Sequence, residues 1–330
     1  MIRHAEERVA TGVGESLSRF AADVRIGLGR AGQKTLPSKY LYDDVGSALF
    51  EAISRLPEYG LTAADERILR SGAGEIVGRV AGPLIVSELG SGSGRKTRWL
   101  LEALARRQPV TRYFPIDISA AALRQCEREL DRLPSLRFEG IESDYLGGLR
   151  HVARRREPGQ RVLLLFLGST IGNFDRPVAE AFLHQVRQCL KSGDGLLLGS
   201  DLEKPVPRLI AAYDDAAGVT AAFNRNLLVR VNRELDADFD LRAFEHVVRY
   251  DADERRIEMH LRARSAQEVS VPAADLRVRF AAGETIWTES SHKFAPREAE
   301  VLGGRAGFGG VGGQWVDQKW PFAETLLIAT

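Results

Sequence analysis

Between Pro83 and Leu202 the chain alternates five short apolar runs with four amphipathic segments. The runs are "PLIVSELG", "RYFPIDIS", "LRFEGIESDY", "RVLLLFLGS" and "GLLLGSDL". Between them lie "RKTRWLLEALARR", "AAALRQCERELDRL", a basic segment containing "RHVARRRE", and "PVAEAFLHQVRQCLKSG". Strands alternating with helices predict an α/β domain with a mostly parallel, doubly wound sheet, whose ligands bind beyond the carboxyl ends of the strands. The tail, with helix "PREAEVLGG" and strands "GQWVDQ" and "ETLLIAT", is expected to complete that sheet, and the glycines of "GGRAGFGGVGGQW" to form a mobile loop.

Two stretches break the rhythm. After "SDLEKP" comes a long helical segment, "RLIAAYDDAAGVTAAFNRNLLVRVNREL", then alternating runs from "FEHVVRYD" to "ETIWTESSHKF" that predict an antiparallel sheet. We expect an inserted substrate domain there, joined by the N-terminal segment: 1–62 and 203–293 form that domain, 63–202 and 294–330 the Rossmann-like one. The 330 residues suffice for two cores. No apolar run approaches the roughly 18 residues that span a bilayer. The first residues, "MIRHAEERVATGVGES", lack the apolar stretch of a secretory signal, so a cytoplasmic location is expected. With 46 basic and 45 acidic residues, a large nucleic-acid surface is not expected, and small molecules are the expected partners. Cys126 and Cys189 are read as packing residues, with no metal-ligand spacing. "RHVARRRE" is read as a solvated helix face rather than a phosphate patch.

The first strand runs into a turn with three glycines, Gly90, Gly92 and Gly94, in "ELGSGSGRKT". Such a turn lets a cofactor approach the backbone, and Asp117, ending the next strand, stands where an acid takes ribose hydroxyls. By itself the turn fits dehydrogenases, methyltransferases and plain tight packing. Arg95 stands where the dinucleotide fingerprint has its last glycine, and the third strand ends in Asp144-Tyr145, suited to hold an adenine. With Glu88 just before the turn, an acid at each of three successive strands resembles class I S-adenosylmethionine-dependent methyltransferases. Asp144 is as readily a helix cap. "FLGSTIGNF" places Gly168 and Asn173 after the fourth strand, where an amide that both donates and accepts suits an amino acid.

Longer strings carry a more specific resemblance. "LPSKYLYDDVGSALFEAISRLPEY", "ELGSGSGRKT", "FLGSTIGN", "AAYDDAAGVTAAFNRN", "VNRELDADFDLRAFEHV", "RIEMHLRAR" and "FAAGETIWTESSHKF" resemble the L-histidine Nα-methyltransferases of ergothioneine biosynthesis over nearly the whole chain. The resemblance implies S-adenosylmethionine as methyl donor, L-histidine as substrate, three transfers giving hercynine, and no metal. The alternative is N-methylation of another aromatic amino acid or amine, such as tryptophan. The resemblance assigns the imidazole to Tyr42, Glu289 and Ser291. It assigns the substrate carboxylate and α-amine to Asn173 and Tyr213, with Gly168 nearby, Tyr59 lining the pocket and Met259 as an apolar wall. Gly90, Gly92, Lys96, Asp117, Asp144 and Tyr145 fall to the methyl donor. Tyr42 is the catalytic candidate, a hydroxyl through which the α-ammonium proton leaves. A monomer is expected. Gly60, His260 and Val316 depart from the family pattern, at positions expected on the lid and pocket rim.

Overall fold

The computed structural model of the protein describes residues 17–133 and 135–330. It contains two compact units. One comprises Ser54–Ala212, Ala252–Arg256 and Ser290–Thr330; the other comprises the chain up to Ile53 with Tyr213–Asp251 and Ile257–Glu289.

The first unit is built on β1 (Leu84–Leu89), β2 (Thr111–Asp117), β3 (Leu136–Phe138), β4 (Arg161–Phe166), β5 (Gly195–Asp201), β6 (Phe308–Asp317) and β7 (Phe322–Ala329). Their order across the sheet is β6-β7-β5-β4-β1-β2-β3, with the short strand Ile141–Glu142 also paired to β2. Strands β1 to β5 run parallel, and β7 is antiparallel to both its neighbours. The strand order reverses between β1 and β4, so the loops after these two strands face the crevice where doubly wound sheets bind ligands. The expected α/β doubly wound fold is what the chain forms.

Burial on both faces explains the apolar stretches of β1, β4 and β5, "LIV", "VLLLF" and "LLL". Ile85, Leu164, Phe166, Leu196 and Leu198 point into one core, with α4 (Tyr145–Arg155), α5 (Arg176–Cys189) and α6 (Glu298–Arg305) over it. Leu84, Val86, Leu163, Leu165 and Leu197 point into the other, beneath α1 (Gly60–Gly78), α2 (Arg98–Ala105) and α3 (Ala120–Leu130). A strand covered on both faces has no polar side, and each such side chain contributes roughly 1.5–3 kcal/mol of burial. Cys126 packs in this second core, Cys189 borders the first, and neither forms a disulfide.

Four expectations change. "LRFEGIESDY" is two short strands broken around Gly140, and Asp144 then caps α4. The glycine-rich tail is strand β6, not a loop; its pairing with β7 is offset between Phe308 and Gly310 and between Val311 and Gly313. Its glycines answer to packing: a Cβ on Gly309 or Gly312 would lie 2.1 Å from Thr330 or 2.7 Å from Leu326. The long helical segment is two helices, Val206–Tyr213 and Val219–Leu235, separated by residues 214–218: Gly218 (φ 73°) immediately precedes the second, whose first N–H groups, of Val219 and Thr220, donate to the Asp215 carboxylate at 2.9 and 2.8 Å. In the basic segment Arg154 and Arg155 are exposed as a solvated face requires, but Arg156 turns inward to Asp194 at 2.6 Å, both side chains buried.

The second unit holds all but the ends of the four-stranded sheet Lys34–Thr35, Thr285–His292, Arg256–Ala263, Phe244–Asp251, in that order, plus the antiparallel hairpin Gln267–Val271 with Leu276–Phe280. Lys34–Thr35 enters parallel to Ile286 and Trp287, a pairing that the short polar strand does not announce. Helix Asp44–Ile53 lies against Val219–Leu235, and Phe239, Phe244 and Phe280 pack ring to ring beside them. Among the described residues no helix is long and apolar enough to cross a membrane.

Candidate active site

In the first unit the turn after β1 brings the nucleotide-side candidates together. Gly90, Gly92 and Gly94 all have positive φ, 70°, 52° and 67°, a backbone path other residues adopt at about 1–2 kcal/mol each. Gly90 N–H donates to Ile116 O at 2.8 Å, tying the turn to β2. Gly92 N–H donates to Asp117 Oδ2 at 3.2 Å and Ser119 N–H to Asp117 Oδ1 at 2.9 Å, which fixes the carboxylate's orientation. Burial pushes the Asp117 carboxyl up, partly offset by these backbone donors. A Cβ on Gly90 would sit 3.2 Å from the Tyr145 hydroxyl, so glycine keeps this floor open. The Tyr145 ring stands edge-on to Phe166 and Phe182, at 5.5 and 6.0 Å, a fixed apolar wall. Asp144 is the cap of α4: its Oδ1 accepts from Gly147 N–H at 2.7 Å. An open glycine floor, an oriented acid and an aromatic wall fit a nucleoside.

Behind the turn lies buried charge. Lys96 is ion-paired with Asp65 of α1, which is fully buried, and Asp65 Oδ2 also accepts from Gly168 N–H at 3.0 Å. Glu88, at the end of β1, accepts from Thr97 Oγ1 at 2.7 Å and from the Tyr113 hydroxyl at 2.5 Å; burial pushes its carboxyl up to about 7 against those donors. Nothing in the sequence singles out Asp65. It sits among other charged residues in "TAADERIL", and its partner is 31 positions away.

The loop after β4 turns sharply. Gly168 (φ 69°) and Ser169 (φ 58°) are consecutive left-handed residues, and the short helix Thr170–Asn173 follows. The Ser169 hydroxyl accepts from Asp201 N–H at 2.9 Å, which stabilises this uncommon conformation. Asn173 thus ends a loop fixed at both sides. Tyr59, buried, sits just before α1. Ser291 is buried and its Oγ accepts from Lys293 Nζ at 2.8 Å; that ammonium is fully buried and paired with Asp201 at 3.0 Å.

The second unit brings Tyr42 and Glu289 together: the hydroxyl donates to Glu289 Oε1 at 3.5 Å. The Tyr42 ring is fixed edge-on by Phe50 and Phe223, at 5.6 and 5.5 Å. Glu289 is 9% exposed, an uncommon setting for a carboxylate on a strand. Met259 is buried, and its carbonyl accepts from the Thr288 hydroxyl at 2.9 Å. Tyr213 is buried too; its carbonyl accepts from His246 Nε2 at 2.8 Å, so that nitrogen carries a proton. Of the departing positions, His260 is buried beside Glu258 and stacks on Trp287, rather than lying on a rim. Gly60 lies under Trp320, and Val316 is exposed on β6.

A doubly wound sheet with an antiparallel β7, a glycine turn after β1 and an oriented acid ending β2 defines the class I methyltransferase type. The family model for the SAM-dependent, histidine-specific methyltransferases matches residues 20–329. The chain belongs to that family. It is 46% identical over 323 residues to the histidine N-alpha-methyltransferase of Mycolicibacterium smegmatis, covering 97% of each chain. To that of Mycobacterium tuberculosis it is 42% identical over 322 residues, 96% of this chain and 98% of that one. Ergothioneine biosynthesis protein 1 of Schizosaccharomyces pombe is 31% identical over 275 residues, 81% of this chain and 35% of that one.

Proposed function

We propose that the protein methylates the α-nitrogen of L-histidine three times, with S-adenosylmethionine as donor, to give hercynine, the first step of ergothioneine biosynthesis. The observation that carries this reading is Glu289: a nearly buried carboxylate, already paired with a phenol, is an acceptor for an imidazole N–H. A side chain with no N–H to offer would desolvate that carboxylate without adding a donor to it, a loss of about 1.5–3 kcal/mol relative to an imidazole.

S-adenosylmethionine supplies a methyl group on a sulfonium, a strong electrophile. The protein's task is therefore orientation more than acid-base work. Gly90, Gly92, Asp117, Asp144 and Tyr145 hold the nucleoside, and Lys96 the methionine end. Glu289, Tyr42 and Ser291 hold the imidazole; Asn173 and Tyr213 take the carboxylate and turn the α-amine toward the methyl, with Gly168, Tyr59 and Met259 shaping the space. Tyr42 donates toward Glu289 and, as a hydroxyl, can accept from another direction, the capacity needed to pass the α-ammonium proton outward. Residues 1–62 and 203–293 serve the amino acid, and the protein works as a cytoplasmic monomer on small molecules.

Calorimetry of histidine binding in the presence of S-adenosylhomocysteine tests the site. Glu289→Ala is expected to weaken histidine by about 1.5–3 kcal/mol, the range for a charged hydrogen bond. Unchanged histidine affinity, or tighter binding of tryptophan than of histidine by the wild type, overturns the assignment.

A further inference from the structure

Asp65 and Glu324 stand out because the reaction gives them no role and they lie deep in the first unit, both fully buried. Asp65 Oδ2 is occupied by Lys96 and by Gly168 N–H. Asp65 Oδ1 and both oxygens of Glu324 have no donor among the described residues, and both carboxyls stand beside the Gly168 amide: its N–H donates to Asp65, and a Cβ on Gly199 would touch both that nitrogen and Glu324 Oε1. Two ionised carboxylates cannot satisfy each other, since each only accepts. One proton removes the conflict: a protonated Glu324 donates to Asp65, as in other carboxyl pairs that share a site. The strand beside β7 makes room for the pair. Gly199 of β5 is opposite Glu324, and a Cβ there would lie 2.7 Å from Glu324 Oε1 and 3.1 Å from Gly168 N.

We propose that Asp65 and Glu324 share one proton, and that Asp65, held in place by this pair, is a positioning residue that fixes Lys96 and the Gly168 amide together. Through it the turn after β1, which serves the methyl donor, and the loop after β4, which serves the amino acid, hang from one carboxylate. The inference rests on the reading of Lys96 and Gly168 given above. The charge balance agrees with it. The groups facing Glu324 are Asp65 from α1, Glu88 from β1 and Lys96 from the turn, a single ammonium among carboxyls. Burial first and Asp65 second push the Glu324 carboxyl well above its usual range. Burial opposes the charge on Lys96, but Asp65, Glu88 and Glu324 together outweigh it and hold the ammonium above its ordinary value.

Two measurements test the proposal. Infrared spectroscopy of the ligand-free wild type at neutral pH should show a buried carboxylic-acid carbonyl band that is lost in Glu324→Gln, distinct from the band of Glu88, which is identified by its loss in Glu88→Gln. Calorimetry with S-adenosylhomocysteine should place Glu324→Gln within about threefold of wild type, because an amide N–H can replace the shared proton. Asp65→Asn should lose more than about tenfold, because Lys96 keeps its charge without its partner. As pH rises, wild-type affinity should fall more steeply than that of Glu324→Gln, a difference that mere loss of packing would not produce. Absence of a band lost in Glu324→Gln, or equal losses in the two variants, overturns the proposal. Failure of the wild type to bind S-adenosylhomocysteine would instead sink the donor-site reading, and the infrared band tests the shared proton independently of it.

Discussion

The first unit buries charge in two places with opposite excess. Around Lys96 gather three carboxyls, Asp65, Glu88 and Glu324; around Asp201 gather two ammoniums, Lys204 at 2.6 Å and Lys293 at 3.0 Å. Each cluster resolves its surplus differently. In the acid-rich one burial raises the carboxyls, Glu88 to about 7 and Glu324 well above its usual range, and Asp65 adds to both. The lysine-rich one opposes the effect of burial on Asp201 so strongly that its carboxyl stays below the usual range, while burial pushes Lys204 down to about 8. Both clusters stand behind residues assigned to ligands: Lys96 and Gly168 at the first, Ser291 through Lys293 at the second. A buried charge is weak evidence for stability, and here its placement supports the view that it orients the groups in front of it.

The largest effect expected is at the second cluster. Asp201→Asn strands two buried ammoniums and should cost about 3–5 kcal/mol in urea unfolding; a loss below 1 kcal/mol would mean that water already reaches them. The next contrast is in pH. Glu88 has a higher pKa folded than unfolded, so the folded state binds more protons between about 4.5 and 7, and its contribution to stability is lost as pH rises through that window. Lys204 has a lower pKa folded, so between about 8 and 10.5 the unfolded state binds more protons and stability from this group rises with pH. Glu88→Gln should remove about 3 kcal/mol of pH dependence in the acid window and leave the alkaline one unchanged. Flattening of both windows, measured by unfolding across pH, would show that the clusters are not independent.

A smaller effect should come through Trp320, whose indole Nε1 donates to Asp201 Oδ1 at 2.9 Å. The ring lies over Gly60, where a Cβ would fall 2.3 Å from its Cε3. Gly60→Ala should displace the indole and cost about 1–3 kcal/mol by overpacking, with a lower melting temperature as the readout. An unchanged melting temperature would show that the departure at Gly60 is not tied to Trp320.

What the sequence conveys depends on whether a signal is local. Strands β4 and β5 are legible because burial on both faces makes each a nearly unbroken apolar run, and the turns at Gly90 and Gly168 because glycine is read within a few residues of its strand. Strand β6 is not: its glycines are there for the Thr330 and Leu326 side chains, and nothing in "GFGGVGGQ" tells such crowding from a loop. Nor are Asp65 and Glu324, brought together by the sheet from the two ends of the first unit. Glu289 shows its type and spacing in "TESS", while its burial and its Tyr42 partner, 247 positions away, appear only in the folded chain.

The central claim is methylation of histidine. Mass spectrometry of the purified protein with S-adenosylmethionine and each amino acid in a separate reaction tests it directly. The account predicts products one, two and three methyl groups heavier with histidine, and none with tryptophan; methylated tryptophan with unmodified histidine would contradict it.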